Sequence, residues 1–143
     1  MAAPAIIDRF SHSIDDKGRV VLPSAYREMY ADGGVLSLRD DHLALYTNEG
    51  WAEFVDSLRD LLTAGTISRD RFTVFTSMAS SVKPDGQGRI SLASHFREFV
   101  GLERDAVFCG AGTYLGLYPP ATAPGADPVA TRAALAELAG LPL

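Results

Sequence analysis

DDKGRVVLPSAYRE at residues 15–28 and DGQGRISLASHFRE at residues 85–98 align without a gap at an offset of 70. Seven of the fourteen positions are identical: Asp15/Asp85, Gly18/Gly88, Arg19/Arg89, Leu22/Leu92, Ser24/Ser94, Arg27/Arg97 and Glu28/Glu98. Average residue usage gives about one. Self-similarity at this level sets the architecture before any local reading does. It continues past a two-residue insertion, so that Val35, Leu43, Leu45 and Tyr46 align with Val107, Leu115, Leu117 and Tyr118. The chain is two copies of one unit.

Working outward from the repeat, each copy reads as strand, tight turn, strand, short helix and strand pair. Asp15-Asp16-Lys17-Gly18 has the form of a type I turn followed by a left-handed residue, a conformation glycine adopts without steric cost. Arg19 then starts the returning strand. Ser24 is a good helix cap, and the spacing predicts a short helix from Ser24 to Tyr30 with Tyr26, Met29 and Tyr30 on its apolar side. Ser94, Phe96 and Phe99 repeat the pattern. Val35–Leu38 and Leu43–Tyr46 read as strands around the turn-prone Arg39-Asp40-Asp41-His42, and Gly110-Ala111-Gly112-Thr113 takes that part in copy two.

Between the copies, Trp51, Phe54, Val55, Leu58, Leu61 and Leu62 follow the spacing of one helical face, with Gly65 as the stop. A shorter helix over Ser68–Phe75 and a strand around Met78–Val82 lead into the second motif. After Pro119 the chain is rich in Pro and Ala, and Asp127-Pro128 predicts the cap and first turn of a weak, mobile terminal helix through Leu138. The predicted organisation is a first unit over 5–48, a helical connector over 49–76, a second unit over 77–120 and a tail over 121–143.

With 143 residues, 47% of them hydrophobic and 22% charged, the composition is that of a globular protein able to bury a core. The single Cys109 excludes an internal disulfide framework, and MAAPAIIDRF has neither a basic start nor an apolar run of signal-peptide length. A cytoplasmic protein without membrane contact is expected. The net charge is −5, whereas nucleic-acid-binding domains are commonly basic. Around the first motif, Arg9, Lys17, Arg19 and Arg27 stand against Asp8, Asp15, Asp16 and Glu28. Any positive site has to be made by geometry.

HSIDDKGRVVLPSAYRE resembles the first motif of the MraZ family, whose members carry two Asp-x-x-x-Arg units related to the AbrB-type DNA-binding swapped hairpin. The likeness spans roughly residues 5–118. It implies an α+β, β-rich fold of two pseudo-symmetric AbrB-like swapped-hairpin units around a compact barrel-like core, with short helices. It implies assembly into a homo-oligomeric ring, and regulation through direct repeats in double-stranded DNA upstream of division and cell-wall genes. The turn-forming residues carried over are Asp15 and Gly18 with Asp85 and Gly88. The DNA-contacting set is Lys17, Arg19 and Arg89, with Gln87 in the place of Lys17. Copy two departs from the motif at Gln87, Ser91 and Ala93.

Physically, a guanidinium fork on a turn tip can bind phosphate oxygens or the O6/N7 edge of guanine with two hydrogen bonds. The competing structural role is that Arg19 and Arg89 pair with Asp15 and Asp85, or with Glu28 and Glu98, and pin the turn. For Arg27 and Arg97 the structural role is favoured. Two loops on one chain make few phosphate contacts, so assembly along spaced repeats is the expected route to useful affinity. A ring-forming scaffold without DNA binding, and an AbrB-type antitoxin, are the competing functions.

No catalytic constellation, cofactor, small-molecule substrate or metal is expected. GAGTYLG at 110–116 lacks the following helix of a dinucleotide fingerprint. His12, His42, His95 and Cys109 lack zinc-ligand spacing. Ser11, His12 and Asp15 do not form a triad, because neighbours on a strand point to opposite faces.

Overall fold

A computed structural model describes residues 4–143. Copy one contributes β1 (Arg9–Ser13), β2 (Arg19–Val21), a 3-10 turn (Ser24–Tyr26), β3 (Gly34–Leu38) and β4 (Leu43–Thr47). The connector forms α1 (Asn48–Thr63) and α2 (Arg69–Ser77). Copy two follows as β5 (Ala79–Val82), β6 (Arg89–Ser91), α3 (Ser94–Val100), β7 (Asp105–Gly110) and β8 (Leu115–Tyr118). The tail holds α4 (Pro128–Ala136) and a 3-10 turn (Glu137–Gly140).

The copies are interleaved. Six strands form one sheet in the order β1-β7-β8-β4-β3-β5, and β2 pairs with β6 in a separate ribbon. Replacing each strand by its counterpart in the other copy reverses the order into itself, which is the signature of a pseudo-twofold axis. Val20 faces Ile90 at the centre of the antiparallel β2–β6 ribbon, and Ala44 faces Gly116 where β4 meets β8; both pairs join equivalent positions of the repeat. At the sheet edges, β1 pairs with β7 of the other copy and β5 with β3. Neither copy completes its own sheet.

This exchange follows from the burial pattern. The hydrophobic face of each short motif strand is too small to bury itself, and packing copy against copy closes one core between sheet and ribbon. Val20, Leu22, Ile90 and Leu92 from the ribbon segments meet Leu36, Leu43, Leu45, Phe108, Leu115 and Leu117 from the sheet. Several are wholly excluded from solvent, and each such aliphatic contributes roughly 1.5–3 kcal/mol relative to exposure. Among the described residues β1 and β5 are not paired with each other, so the barrel-like wrap is open at its edges.

Unrelated segments cover the outer face of the sheet. Over copy one lies α1, started by Thr47, whose side chain accepts from the Gly50 N–H at 3.0 Å. Tyr46 packs there on Trp51 and Phe54, with ring centroids 5.6 and 5.3 Å away. Of the expected apolar stripe only Leu58 is buried, and Leu61 is exposed. Over copy two the tail takes that position: Ala123 packs on Val107 and Tyr118, and Arg9 donates to the Pro124 carbonyl. Beyond it Asp127 caps α4 through the Val129 N–H at 3.1 Å, while Val129, Leu135 and Leu138 stay exposed.

The helix after the motif forms over its expected span in copy two, Ser94–Val100, but not in copy one. In copy one it shrinks to the 3-10 turn Ser24–Tyr26, and Ser24 is its first residue rather than its cap. In copy two, Ser94 likewise opens α3 behind Ala93, with no side-chain cap bond. The apolar sides also shift. Met29 and Phe99 are exposed, whereas Tyr26, Tyr30, Phe96 and Val100 are buried. The two-residue insertion explains the unequal lengths: seven residues lie between Arg27 and Val35 but nine between Arg97 and Val107, so copy one has less chain to spend on a full turn of helix.

Candidate nucleic-acid interface

Each motif turn is built around one carboxylate. Asp15 Oδ1 accepts the backbone N–H groups of Lys17 and Arg19 at 3.0 and 2.8 Å. Its Oδ2 accepts Arg19 Nε at 2.8 Å. The Gly18 N–H donates to the Asp15 carbonyl at 2.9 Å, and Gly18 sits at φ 76°, where a side chain would be strained. In copy two, Asp85 accepts from Gln87 and Arg89 N–H, both at 2.9 Å, and from Arg89 Nε at 2.8 Å. Gly88 also has φ 76°. The turns are near-identical objects.

The aspartate holds the arginine by its Nε and so fixes the plane of the guanidinium. The terminal Nη1 and Nη2 of Arg19 and Arg89 have no hydrogen-bond partner among the described residues, and both side chains are about a quarter exposed (27% and 26%). Pairing with Asp15 and Asp85 and presenting a donor fork are therefore compatible. Four N–H groups of a planar fork remain for an incoming oxyanion. Asp15 and Asp85 are held below the usual carboxylate value of 3.8, first by the backbone N–H of Arg19 or Arg89; desolvation opposes this, and the guanidinium and the Lys17 or Gln87 N–H add to it. They remain ionised at neutral pH. Lys17 and Gln87 occupy the exposed tips.

Sequence reasoning missed where Arg27 and Arg97 go. Each crosses to the turn of the other copy. A β-carbon on Gly18 would lie 2.7 Å from Arg97 Nη2, and one on Gly88 would lie 2.9 Å from Arg27 Nε. Arg97 Nε donates to the Leu92 carbonyl at 3.1 Å and Arg27 Nε to the Leu22 carbonyl at 3.4 Å. The adjoining backbone is knitted the same way: Leu92 N–H donates to Gly18 O at 2.9 Å, and Leu22 N–H to Gly88 O at 2.8 Å. Identity of Arg27 and Arg97 in the repeat was the available signal. Their partners were hidden because repeat identity does not say which copy a side chain reaches.

Away from the ribbon, His42 is buried. Its Nδ1 lies 2.6 Å from Asp41 Oδ1, its Nε2 lies 3.1 Å from Tyr114 Oη, and its ring stacks on Tyr118 at 4.4 Å. Asp40, Asp41 and His42 thus converge, with both ring nitrogens already engaged. His12 packs edge-on against Phe108 at 5.6 Å. Gly112 forms a β-bridge with Ile6, and the GAGTYLG stretch passes straight into β8. No helix among the described residues is long and apolar enough to cross a membrane.

Comparison with known proteins bears on this geometry. A sequence profile described as "MraZ protein, putative antitoxin-like" matches residues 6–70 and 75–122. A transcriptional regulator MraZ of Thermomicrobium roseum is 34% identical over 115 residues, 80% of this chain and 81% of the relative. One of Paenarthrobacter aurescens is 35% identical over 104 residues, 72% of this chain and 73% of the relative. One of Deinococcus radiodurans is 35% identical over 112 residues, 78% of this chain and 79% of the relative. The profile covers the two motif turns and the sheet that carries them, and the chain belongs to the MraZ family.

Proposed function

We propose that this chain is a non-enzymatic, sequence-specific regulator of transcription that binds double-stranded DNA through the turns at Asp15–Arg19 and Asp85–Arg89. It represses the division and cell-wall gene cluster in which it lies, acting on direct repeats upstream. The observation that carries the reading is the pair of equivalent turns, each presenting a guanidinium whose Nη groups are unspent. The regulators of transcription among its relatives support the same reading. Arg19 and Arg89 contact phosphate or guanine, Lys17 contacts phosphate, and Gln87 offers a neutral amide in the same place.

Affinity on this reading comes from repetition. Neutralising each phosphate contributes a slope of only about −0.9 in log affinity against log salt, so one chain with two turns binds weakly. Copies of the chain assemble into a ring, and several turns meet spaced repeats at a high effective concentration. The net charge of −5 is then carried by the remaining surface. The protein works in the cytoplasm, associated with the nucleoid.

The test is an electrophoretic shift with DNA from upstream of the protein's own gene, over a salt series, for wild type, Arg19→Ala and Arg89→Ala. A complex strongly weakened by Arg19→Ala, with folding unchanged, is the expected result. Absence of any complex at low salt, from a correctly assembled oligomer, would overturn the reading in favour of a scaffold.

A further inference from the structure

The copy-crossing arginines have a consequence for ligand binding. We infer that each turn is one half of a two-arginine phosphate clamp assembled from both copies, Arg19 with Arg97 at one turn and Arg89 with Arg27 at the other. This deepens the DNA-binding reading and rests on it only for the source of the phosphate, the backbone of a nucleic acid.

The case begins with space. Arg97 Nη2, Cζ and Nε all lie within 2.9 Å of where a Gly18 β-carbon would be, so the absent side chain is what lets the guanidinium lie against the turn. At Gly88, the Nε and Cζ of Arg27 fill the same space at 2.9 and 3.3 Å. Glycine is thus required twice over, for its positive φ and for this approach.

Charge is the second element. The guanidinium groups of Arg27 and Arg97 form no ion pair among the described residues, while those of Arg19 and Arg89 are paired with Asp15 and Asp85. Within residues 15–19 and 85–89 alone, the first turn is balanced, Lys17 and Arg19 against Asp15 and Asp16, and so is the second, Arg89 against Asp85. The crossing arginine makes each of them net positive. It does so equally, despite the exchange of Lys17 for Gln87.

Donor geometry is the third. All four arginines commit Nε inside the protein, to Asp15, Asp85, Leu22 or Leu92. Their Nη groups are what remains, and fixing Nε orients them before any ligand arrives. Two forks at one turn suit a tetrahedral oxyanion with several acceptor oxygens. Arg27 and Arg97 act in this arrangement as contact residues for the turn of the opposite copy.

The experiment is an NMR titration of the 15N-labelled full chain with inorganic phosphate, read at the Gly18 and Gly88 amides. Both are expected to shift in the wild type. Arg97→Ala should weaken the response by about tenfold at Gly18 and leave Gly88 unchanged, the scale of one lost charge-assisted hydrogen-bonding group. Arg27→Ala should do the reverse. The unaffected turn reports in the same tube that the variant is folded, and Arg97→Lys, which keeps the charge without the fork, should be intermediate. A wild type with no phosphate response, or a loss confined to the turn of the mutated copy, overturns the clamp.

A parallel titration with duplex from upstream of the gene separates the two readings. Phosphate shifts in the crossed pattern without duplex binding sustain the clamp and sink the regulator. Duplex binding whose dependence on Arg97 and Arg27 is not crossed sinks the clamp and leaves the regulator standing.

Discussion

The two turns agree to within about a tenth of an ångström in every aspartate hydrogen bond, while the helix that follows each turn and the segment that covers each sheet half differ. After turn one comes a 3-10 turn and a covering of helices; after turn two comes a true α-helix and a covering of tail. The repeat has been held constant at the ribbon and in the strand order of the sheet, and has drifted in the helices and the outer cover. What the ribbon requires is two-sided: β2 and β6 pair with each other in a two-stranded sheet, and each turn is contacted by an arginine from the other copy. A change in one motif is felt at the other. The outer face of the sheet asks only for apolar cover, which α1 and the Ala123 strap supply by different means.

The comparison breaks most visibly at the helices. Tyr30 is fully buried and donates its hydroxyl to the Leu45 carbonyl at 2.8 Å, whereas its counterpart Val100 is smaller and makes no such bond. Tyr30→Ala should cost about 3–5 kcal/mol, as for other large buried rings, and Val100→Ala only about 1.6 kcal/mol for the lost methyl groups. Chemical denaturation of the two variants checks this. Equal losses would show that the shortened helix of copy one does not rely on its tyrosine anchor.

Next in size is the effect on DNA. Arg19→Ala and Arg89→Ala should each weaken binding by about 1–3 kcal/mol, and each should flatten the salt slope by about 0.9. Lys17→Gln should lower that slope by a similar amount with less loss of affinity, and Gln87→Lys should raise it. A slope that answers to residue 17 and not to residue 87 would assign the phosphate contact at the tip to turn one alone. Titrations against salt on the two reciprocal variants decide the matter.

Gly18→Ala and Gly88→Ala should be nearly equal, because both glycines have the same φ. The left-handed conformation costs a non-glycine residue about 1–2 kcal/mol, and the clash is with the flexible end of an arginine, which can move aside. Thermal denaturation should therefore show modest, matched losses. Phosphate binding should fall further than stability at whichever turn carries the substitution.

How much of this was legible follows from what a sequence pattern encodes. The turns were legible in full, since Asp-x-x-Gly-Arg specifies the acceptor, the left-handed residue and the returning strand in five consecutive positions. The strands and α1 were legible from periodicity. Pairing was not: alternation says which face of β1 is buried, and nothing in it says that Phe10 will lie opposite Phe108 rather than a residue of its own copy. The same blindness hid the partners of Arg27 and Arg97. It also misplaced Met29 and Phe99, because the core side of each segment runs through the i, i+4 pairs Tyr26/Tyr30 and Phe96/Val100, which leaves the intervening apolar residue exposed.

The smallest expected effect is on acid stability, and it tests whether the two turns are energetically as well as geometrically alike. Asp15 and Asp85 are both held below 3.8, in each case first by the backbone N–H of the motif arginine. A carboxyl whose folded value is depressed contributes stability that is fully present above its unfolded value and is lost as pH falls through the folded one. The acid limb of the stability curve should thus lie below about pH 4. Asp15→Asn and Asp85→Asn should each make that limb shallower, to the same extent, and leave the slope above pH 6 unchanged. An asparagine keeps an acceptor for the two backbone N–H groups but cannot pair with the guanidinium, so the turn survives while its pH dependence goes. If only one of the two variants alters the limb, the twin hydrogen-bond geometry conceals an energetic asymmetry, and the turn that remains insensitive is the one whose arginine is held by something other than its aspartate.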